Sequence, residues 1–377
     1  MAGDETKGTA AEMSAATLSQ WQLVRRAFAR HKVAMASVFV LVILYLLAIF
    51  AEFFAPYRSD YYDLPRVYSP PQVPRLSLKH GFHTYAPVKH IHPITQQVDY
   101  TLDRNNVVSL GFFVKGTPYK LWGMIPGDRH FFGVSNPDGL PLSGLPTFYL
   151  LGADKYGRDI YSRIVYGSRI SLSIGLVAIV VTFILGATIG GISGYMGGSV
   201  DVLIQRVIEI MNSLPRLPLW MALGAAVPPD WSPLKMYFAM TILLAFLGWT
   251  GLARVVRGKL LSLREEDYAV AAKLLGAGHG RIIFRHLLPG FTSHIIVCLT
   301  LAIPGMVLGE TSLSFLGLGL REPVVSWGVL LQDCVNKQVV VDYPWMLMPA
   351  VFLILLVLSC NFVGDGLRDA ADPYSSN

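Results

Sequence analysis

An all-α membrane protein of six transmembrane helices, with a long insert between the first and second, is the fold class this sequence predicts, and two observations carry it. Only 15% of the 377 residues are charged while 53% are hydrophobic, against roughly 25% charged in a soluble globular domain. The apolar residues are gathered into uncharged blocks, most of them close to the length a helix needs to cross a hydrocarbon core of about 30 Å at about 1.5 Å per residue. A soluble enzyme is excluded by this arithmetic. So is a disordered chain, because 11% aromatics would not stay solvated. The formal charge of +6 forms no single basic stripe, so it predicts topology and not nucleic-acid binding.

The first block, 33–51, follows Arg25, Arg26, Arg30 and Lys32. It is longer than the apolar region of a secretory signal, and no A-x-A-like site closes it before Pro56, so it is expected to stay as an anchoring helix over 33–55. Residues 1–32 then lie in the cytoplasm. Further uncharged blocks cover 170–200, 217–229, 236–253, 290–309 and 343–364. The block at 217–229 is short because Arg206 and Glu209 precede it, and its helix is expected to begin near Val202. An even count returns the tail, 368–377, to the cytoplasm. It also places Arg254, Arg257, Lys259, Arg264, Lys273, Arg281 and Arg285 inside, as the positive-inside rule requires. Residues 56–168 fall outside as a periplasmic insert and lead-in, a length at which the rule no longer applies. Residues 169–367 form the core, with an inner loop at 254–289.

Gly186, Gly190 and Gly194 repeat on one face of the second span, where missing side chains let another helix approach closely. Cys298 and Cys360 lie in apolar spans and Cys334 in an outer loop, so neither a disulfide framework nor a Cys-x-x-Cys metal site is expected. The nearest approach to a phosphate-cradling loop, 251–260, has the wrong spacing and Leu260 where a hydroxyl would hold magnesium. No zinc-hydrolase or nucleophile-elbow pattern occurs. No catalytic residue, cofactor or metal is therefore expected. His80, His83, His90 and His92 cluster in the insert among Pro71, Pro74, Pro87 and Pro93. Their spacing admits a metal, but a solvated loop is the expected state. Trp122, Phe131 and Phe132 offer the insert a small core, which favours a folded unit over a linker.

The inner loop reads S-L-R-E-E-D-Y-A-V-A-A-K-L-L-G-A-G-H-G-R-I-I-F-R-H-L-L-P-G from Ser262. Ser262 and Glu265 have capping-box spacing, acidic residues crowd the first turn, and Gly276 supplies a left-handed stop. Gly278 and Gly280 make a turn, and a second helix over 281–288 is expected to end at Pro289. The small residues Ala271 and Ala272 on this helix-turn-helix permit close docking of a partner. A helix resting on lipid headgroups fits the same pattern.

Ala271, Ala272 and Gly276, followed by Leu288 and Pro289, resemble the coupling loop of binding-protein-dependent ABC importer permeases. Val270 stands where many members have Glu, and His286 where Ile is common. The segment L-G-A-D-K-Y-G-R-D at 151–159, with Tyr166, Gly167, Arg169 and Ser171, resembles the lead into the second span of the C-type permeases for dipeptides and oligopeptides. So do G-Y-M-G-G-S-V-D from Gly194, E-T-S-L-S-F-L-G-L-G from Glu310, S-W-G from Ser326 and G-D-G-L-R-D-A-A-D-P from Gly364. The likeness runs almost continuously over 151–373 and includes the first span; the insert up to about residue 150 is the departure.

The resemblance implies a permease subunit of an ATP-driven importer in a bacterial inner membrane, with both termini cytoplasmic, carrying dipeptides or oligopeptides. Its implied partners are a second homologous permease, two ATPase subunits and a periplasmic substrate-binding protein, besides lipid and the peptide. ATP hydrolysis belongs to the ATPases, and the coupling surface is implied at Glu265, Ala271, Ala272, Gly276, Leu288 and Pro289. Glu310, a carboxylate in an apolar run, is a candidate for the pathway or a gate, or else a hydrogen-bonded packing residue. Nickel permeases share most of these motifs and are the alternative within the family. A self-contained secondary transporter would show repeated halves, and none is evident.

Overall fold

Long apolar helices set the architecture, and their packing order follows from which faces can approach. The computed structural model describes residues 20–91, 93–94, 98–136, 145–228 and 230–371. Helix α1, Gln20–Arg30, leads to α2, Lys32–Ile49, whose cap residue His31 accepts a hydrogen bond from the Ala34 amide at 3.1 Å. A short turn, α3 (Ala51–Phe54), continues α2 into the insert. The long helices α4 (Ile160–Met196) and α7 (Pro233–Leu263) form the centre. Between them lie α5 (Gly198–Ser213) and α6 (Arg216–Ala225). After α7 come α8 (Asp267–Leu274), then α9 (Thr292–Phe315), α10 (Trp327–Leu331), α11 (Lys337–Asp342) and α12 (Met348–Ala371).

Helices α4 and α7 run parallel. Tyr237 near the start of α7 donates to Ser173 Oγ near the start of α4 at 3.0 Å. Further along, a Cβ on Gly186 would meet Leu252, one on Gly190 would overlap the backbone of Ala253, and one on Gly194 would lie 2.7 Å from the Arg257 carbonyl oxygen. The glycine stripe is thus the contact with α7, and only hydrogen at these positions lets the backbones come so near. Parallel packing obliges the chain between α4 and α7 to travel back along the bundle. It does so as α5 and α6, with Asp201 beside Arg257, Asn212 accepting from Thr250 Oγ1 at 3.1 Å, and Trp220 packed in the cluster with Leu244.

Five helical segments among the described residues are long and apolar enough to cross a membrane: Lys32–Ile49, Ile160–Met196, Pro233–Leu263, His279–Phe315 and Pro344–Ala371. The expected span beginning near Val202 is not one helix. Pro215 lacks an amide hydrogen and keeps Leu214 extended (φ −85°, ψ 133°), which breaks it into α5 and α6.

The all-α expectation is also corrected, because the insert holds a four-stranded antiparallel sheet in the order β1-β2-β3-β4. Its strands are β1 (Arg75–Ser77), β2 (Gly81–Ile91), β3 (Val98–Leu121) and β4 (Ile125–Val134). β2 pairs with the first half of β3, with His83 opposite Ser109, and β4 with the second half, with Leu110 opposite Val134. Phe132 is buried against Phe148 and Tyr161, but Trp122 lies half exposed at the β3–β4 turn and is no core residue. The sheet sits at the end of the bundle where α2 finishes. There Arg169 of α4 binds both Glu52 carboxylate oxygens (2.9 and 2.8 Å) and the carbonyls of Ala48 and Ile49 (3.0 and 3.1 Å). This bidentate pair covers the terminal carbonyls that a helix leaves open.

Asp159 caps α4 and accepts from the Ser162 amide and hydroxyl (2.8 and 2.6 Å). Burial pushes its carboxyl up to about 7, against the Ser162 bonds that favour the charged form. An unfolded aspartate titrates near 3.9, so between about pH 4 and 7 the folded chain holds a proton that the unfolded chain has lost. This contribution to stability is complete below the lower value and disappears as pH rises through the upper one. Asp159→Asn keeps a capping side chain, and the expected result is a melting temperature that declines less than the parent's between about pH 5 and 7.5. An unchanged slope would refute the assignment.

Candidate functional site

The end of the bundle remote from the sheet carries the helix-turn segment 264–289. α7 continues to Leu263, so 254–263 are its last turns and not loop, and Ser262 lies inside the helix instead of capping α8. Glu266 occupies the cap position of α8. Ala269 is buried against Leu260, Ile282, Ile283 and Leu287, and Ala272 is half-buried beside them. Ala271 faces out, and Leu274 and Leu275 are 83% and 88% exposed. Gly276 stops the helix at φ +82°, with the Gly276 amide on the Lys273 carbonyl and the Ala277 amide on the Ala272 carbonyl, both at 3.0 Å. That left-handed closure is the one a glycine makes without steric cost.

Glu265 is exposed and accepts from Arg264 Nε at 3.0 Å, while Arg264 Nη1 reaches the Gly194 carbonyl at 3.4 Å. A cleft of about 410 Å³ runs beneath α8, lined by Tyr195, Arg264, Val270, Lys273 and His279. The expected second helix does not end at Pro289. A turn at His279–Arg281 passes into a π-helical stretch, Ile282–Leu287, then a 3₁₀ turn, Leu288–Phe291, and α9. Shifting the Leu288 amide onto the Ile283 carbonyl accommodates a proline that would otherwise clash with the carbonyl four residues earlier. Leu288 is buried at this junction and Pro289 is exposed.

The segment stands on an ionic clamp that local sequence reading missed. Arg257 of α7 binds both carboxylate oxygens of Asp201, and Asp201 also accepts from Ser193 Oγ. The ends of α4 and α7 and the start of α5 are therefore tied together beside α8. The chemical capacity here is docking: two bare leucines on a firmly closed turn offer roughly 1.5–3 kcal/mol each on complete burial by a partner.

At the sheet end, the 151–159 segment is held by charge. Asp154 accepts from the amides of Tyr156 and Arg158 and from the guanidinium groups of Arg158 and Arg163. Both arginines reach on to Glu322, at 2.8 and 2.7 Å. Burial works to raise the Glu322 carboxyl, yet the hydrogen bonds from Arg158 and Arg163 outweigh it and hold it at about 2. Among the described histidines only the rings of His80 and His83 meet, with centroids 5.5 Å apart. His83 is buried with Nδ1 on the Gly81 carbonyl, His90 Nε2 pairs with Thr101 Oγ1 at 2.7 Å, and His92 lies outside the described residues. Among the described residues no group of three or more His, Cys, Asp or Glu is placed to hold a metal.

Glu310 is completely buried within the chain. Its Oε1 accepts from Ser314 and Ser326 at 2.8 and 2.7 Å, and Oε2 from Thr311 at 3.5 Å. Ser326 caps α10, so the carboxylate joins α9 to the S-W-G segment.

With this geometry in hand, comparison with known proteins finds two family models. "Binding-protein-dependent transport system inner membrane component" matches residues 186–375, and "N-terminal TM domain of oligopeptide transport permease C" matches 19–71. The insert sheet falls between the two. The dipeptide transport system permease protein DppC of Alkalihalophilus pseudofirmus is 40% identical over 243 residues, 64% of this chain and 77% of that protein. The oligopeptide transport system permease protein OppC of Haemophilus influenzae is 38% identical over 246 residues, 64% and 76% of the respective chains. A solved inward-facing structure of the MetNI methionine ABC transporter matches with a TM-score of 0.43 and 19% identity, covering 56% of this chain and 97% of that one.

The contacts of Glu310 generate a test of its role. Glu310→Ala leaves the Ser314 and Ser326 hydroxyls buried without their acceptor, a loss of about 1–3 kcal/mol, whereas Glu310→Gln retains an acceptor oxygen. The expected order of melting temperature is parent, Gln, Ala, with uptake by the Gln variant close to the parent's. Abolished uptake in a Gln variant of parental stability would assign the charge itself to the mechanism.

Proposed function

The chain belongs to the family of inner-membrane components of binding-protein-dependent transport systems, in the branch of dipeptide and oligopeptide permeases, and from that premise we propose that it carries dipeptides or oligopeptides through an ATP-driven importer. The observation that carries the reading is α8, which presents Leu274 and Leu275 to solvent on a turn closed by Gly276. A self-contained transporter has no need of two bare leucines beyond the end of its bundle; a subunit driven by another protein does. The partners are two ATPases docking on the segment that carries Glu265, Ala271, Ala272, Gly276 and Pro289, with Leu288 buried beneath it as packing, a second homologous permease, and a binding protein that delivers the peptide. For ATP to move the permease, the ATPases must bind one of its conformations more tightly than the other; equal docking shifts nothing.

The broken pair α5–α6 serves as the sixth crossing in this reading, because α4 and α7 run parallel and the chain must return between them. Arg254, Arg257, Lys259, Arg264, Lys273, Arg281 and Arg285 then mark the α8 end as cytoplasmic. Both termini lie on that side, the insert over 56–168 is periplasmic, and 169–367 is the core. Glu310 serves as a structural acceptor near the periplasmic end.

Gly276→Val forces a β-branched residue into the left-handed region, at about 1–3 kcal/mol, and Ala271→Asp places a charge on the docking face. Both variants should reach the membrane at parental levels, copurify poorly with the ATPases and support little uptake. Parental ATPase association and transport in both would reduce 264–289 to a surface loop.

Orientation has its own check. In a chain whose Cys298, Cys334 and Cys360 are replaced, Lys273→Cys should resist an impermeant thiol reagent in intact cells and react after lysis. Labelling of the intact cells would invert the topology.

A further inference from the structure

The turn between β3 and β4 exposes a large apolar surface at one particular height. Trp122, Met124 and Ile125 are 47%, 74% and 54% exposed. Their height follows from contacts with the first span. Phe113 of β3 and Phe131 of β4 lie against Phe53, with ring centroids 6.0 Å apart in each pair. Nearer the turn, Trp122 lies against Phe50 at 5.9 Å and donates its Nε1–H to the Ile49 carbonyl at 2.8 Å. As the strands approach their turn, their partners step backward from Phe53 to Ile49, the last residue of α2. The hairpin therefore points toward the membrane, and its tip ends level with the end of a span whose Phe39, Val42, Ile43 and Leu46 face outward.

Trp122 and Gly123 both have positive φ, +52° and +74°. For glycine this is ordinary; for a large aromatic residue it is unfavourable and persists only where other contacts determine it. Those contacts hold the indole at the boundary between hydrocarbon and water, the depth at which tryptophan is enriched in membrane proteins. Met124 and Ile125 flank it, and Lys120 at the base of the turn is exposed, with a stem long enough to return its ammonium to the headgroups.

We infer that residues 121–125 insert into the interfacial layer of the bilayer, with lipid as the occupant and Trp122 as the anchor. The insert is thereby held down on the membrane beside α2. The inference rests on α2 being a membrane span but not on the identity of the transported solute. It adds an interaction surface to a region that neither family model reaches.

The test reconstitutes the full importer in phosphatidylcholine–phosphatidylglycerol vesicles. Nitroxides are placed by Met124→Cys, Phe39→Cys and Asn106→Cys in a chain lacking Cys298, Cys334 and Cys360. Phe39 reports the middle of the span, and Asn106, exposed on β3, reports water. Collision with oxygen relative to a water-soluble nickel chelate should be several-fold higher at Met124 than at Asn106, approaching Phe39. A ratio at Met124 equal to that at Asn106 overturns the inference. Shielding of Met124 from both relaxants also overturns it, because a protein then covers the tip. A low ratio at Phe39 would instead show that the reading of α2 fails. The parent protein offers a second measurement: an apolar diazirine confined to the bilayer should label the peptide containing 121–125 on irradiation and spare 104–106. Equal labelling of the two, or none at the tip, overturns the inference without any substitution.

Discussion

The two longest helices at the centre, α4 and α7, pack in parallel through glycines, and most of the architecture follows from that constraint. A side chain at Gly190 would overlap the Ala253 backbone, and one at Gly194 would meet Arg257. The contact is therefore between backbones, and in lipid such packing replaces the hydrophobic drive that holds helices together in water. Because the two helices are parallel, residues 197–232 must return the length of the bundle. The Asp201–Arg257 pair then forms where α4 and α7 end together, and α8 emerges beside it.

The opposite end of the bundle is held by a different kind of interaction. Arg169 bridges α4 to the last carbonyls of α2 and to Glu52, while Asp154, Arg158, Arg163 and Glu322 join segments far apart in the chain. A charge network of this kind needs partial burial to matter, since exposed pairs contribute little. Arg163 and Asp154 are almost fully buried, although Glu322 is 43% exposed at its side chain. The 151–163 segment and the loop after α9 are thus fixed to each other by ion pairs that are buried at Asp154 and Arg163 and half-exposed at Glu322.

What could be read from the sequence divides along the same physical lines. An uncharged run of about twenty residues leaves the backbone one way to satisfy itself in lipid, so the five long spans were legible, although charged residues hid helical turns at their ends: α4 starts at Ile160 and not 170, and α7 runs to Leu263 and not 253. Gly276 was legible because a left-handed stop has few other solutions. The break at Leu214–Pro215 had its signal in the proline, but the apolar block around it suggested an unbroken span. Pro289 misled in the other direction: it was read as a stop, yet a π-helical shift accommodates it. The sheet was obscured because prolines and a long bulged strand dilute the alternation of β3, although Trp122-Gly123 between aromatic runs marked a turn. Arg163 and Glu322 stand 159 residues apart, and no local pattern carries that pairing.

The disposal of polar groups leaves the directional groups of the surface at the ends of the bundle. Glu310 is enclosed by hydroxyls from α9 and the cap of α10, and Thr250 bonds Asn212 between helices. Polar groups at depth are costly unless paired; the Glu310 oxygens and the Thr250 hydroxyl are paired inside the chain, while Asn212 Nδ2, Thr182 Oγ1 and Trp220 Nε1 are buried without a partner among the described residues. The outward side chains of α7, by contrast, are Leu234, Phe238, Ile242 and Phe246, a row at four-residue spacing that offers shape and no charge. An apolar row can meet lipid or another apolar helix equally well, so it discriminates weakly between them. Directional groups and exposed apolar tips instead occur at α8 and at the insert. A protein can there distinguish a partner from bulk solvent without exposing an unpaired charge to hydrocarbon.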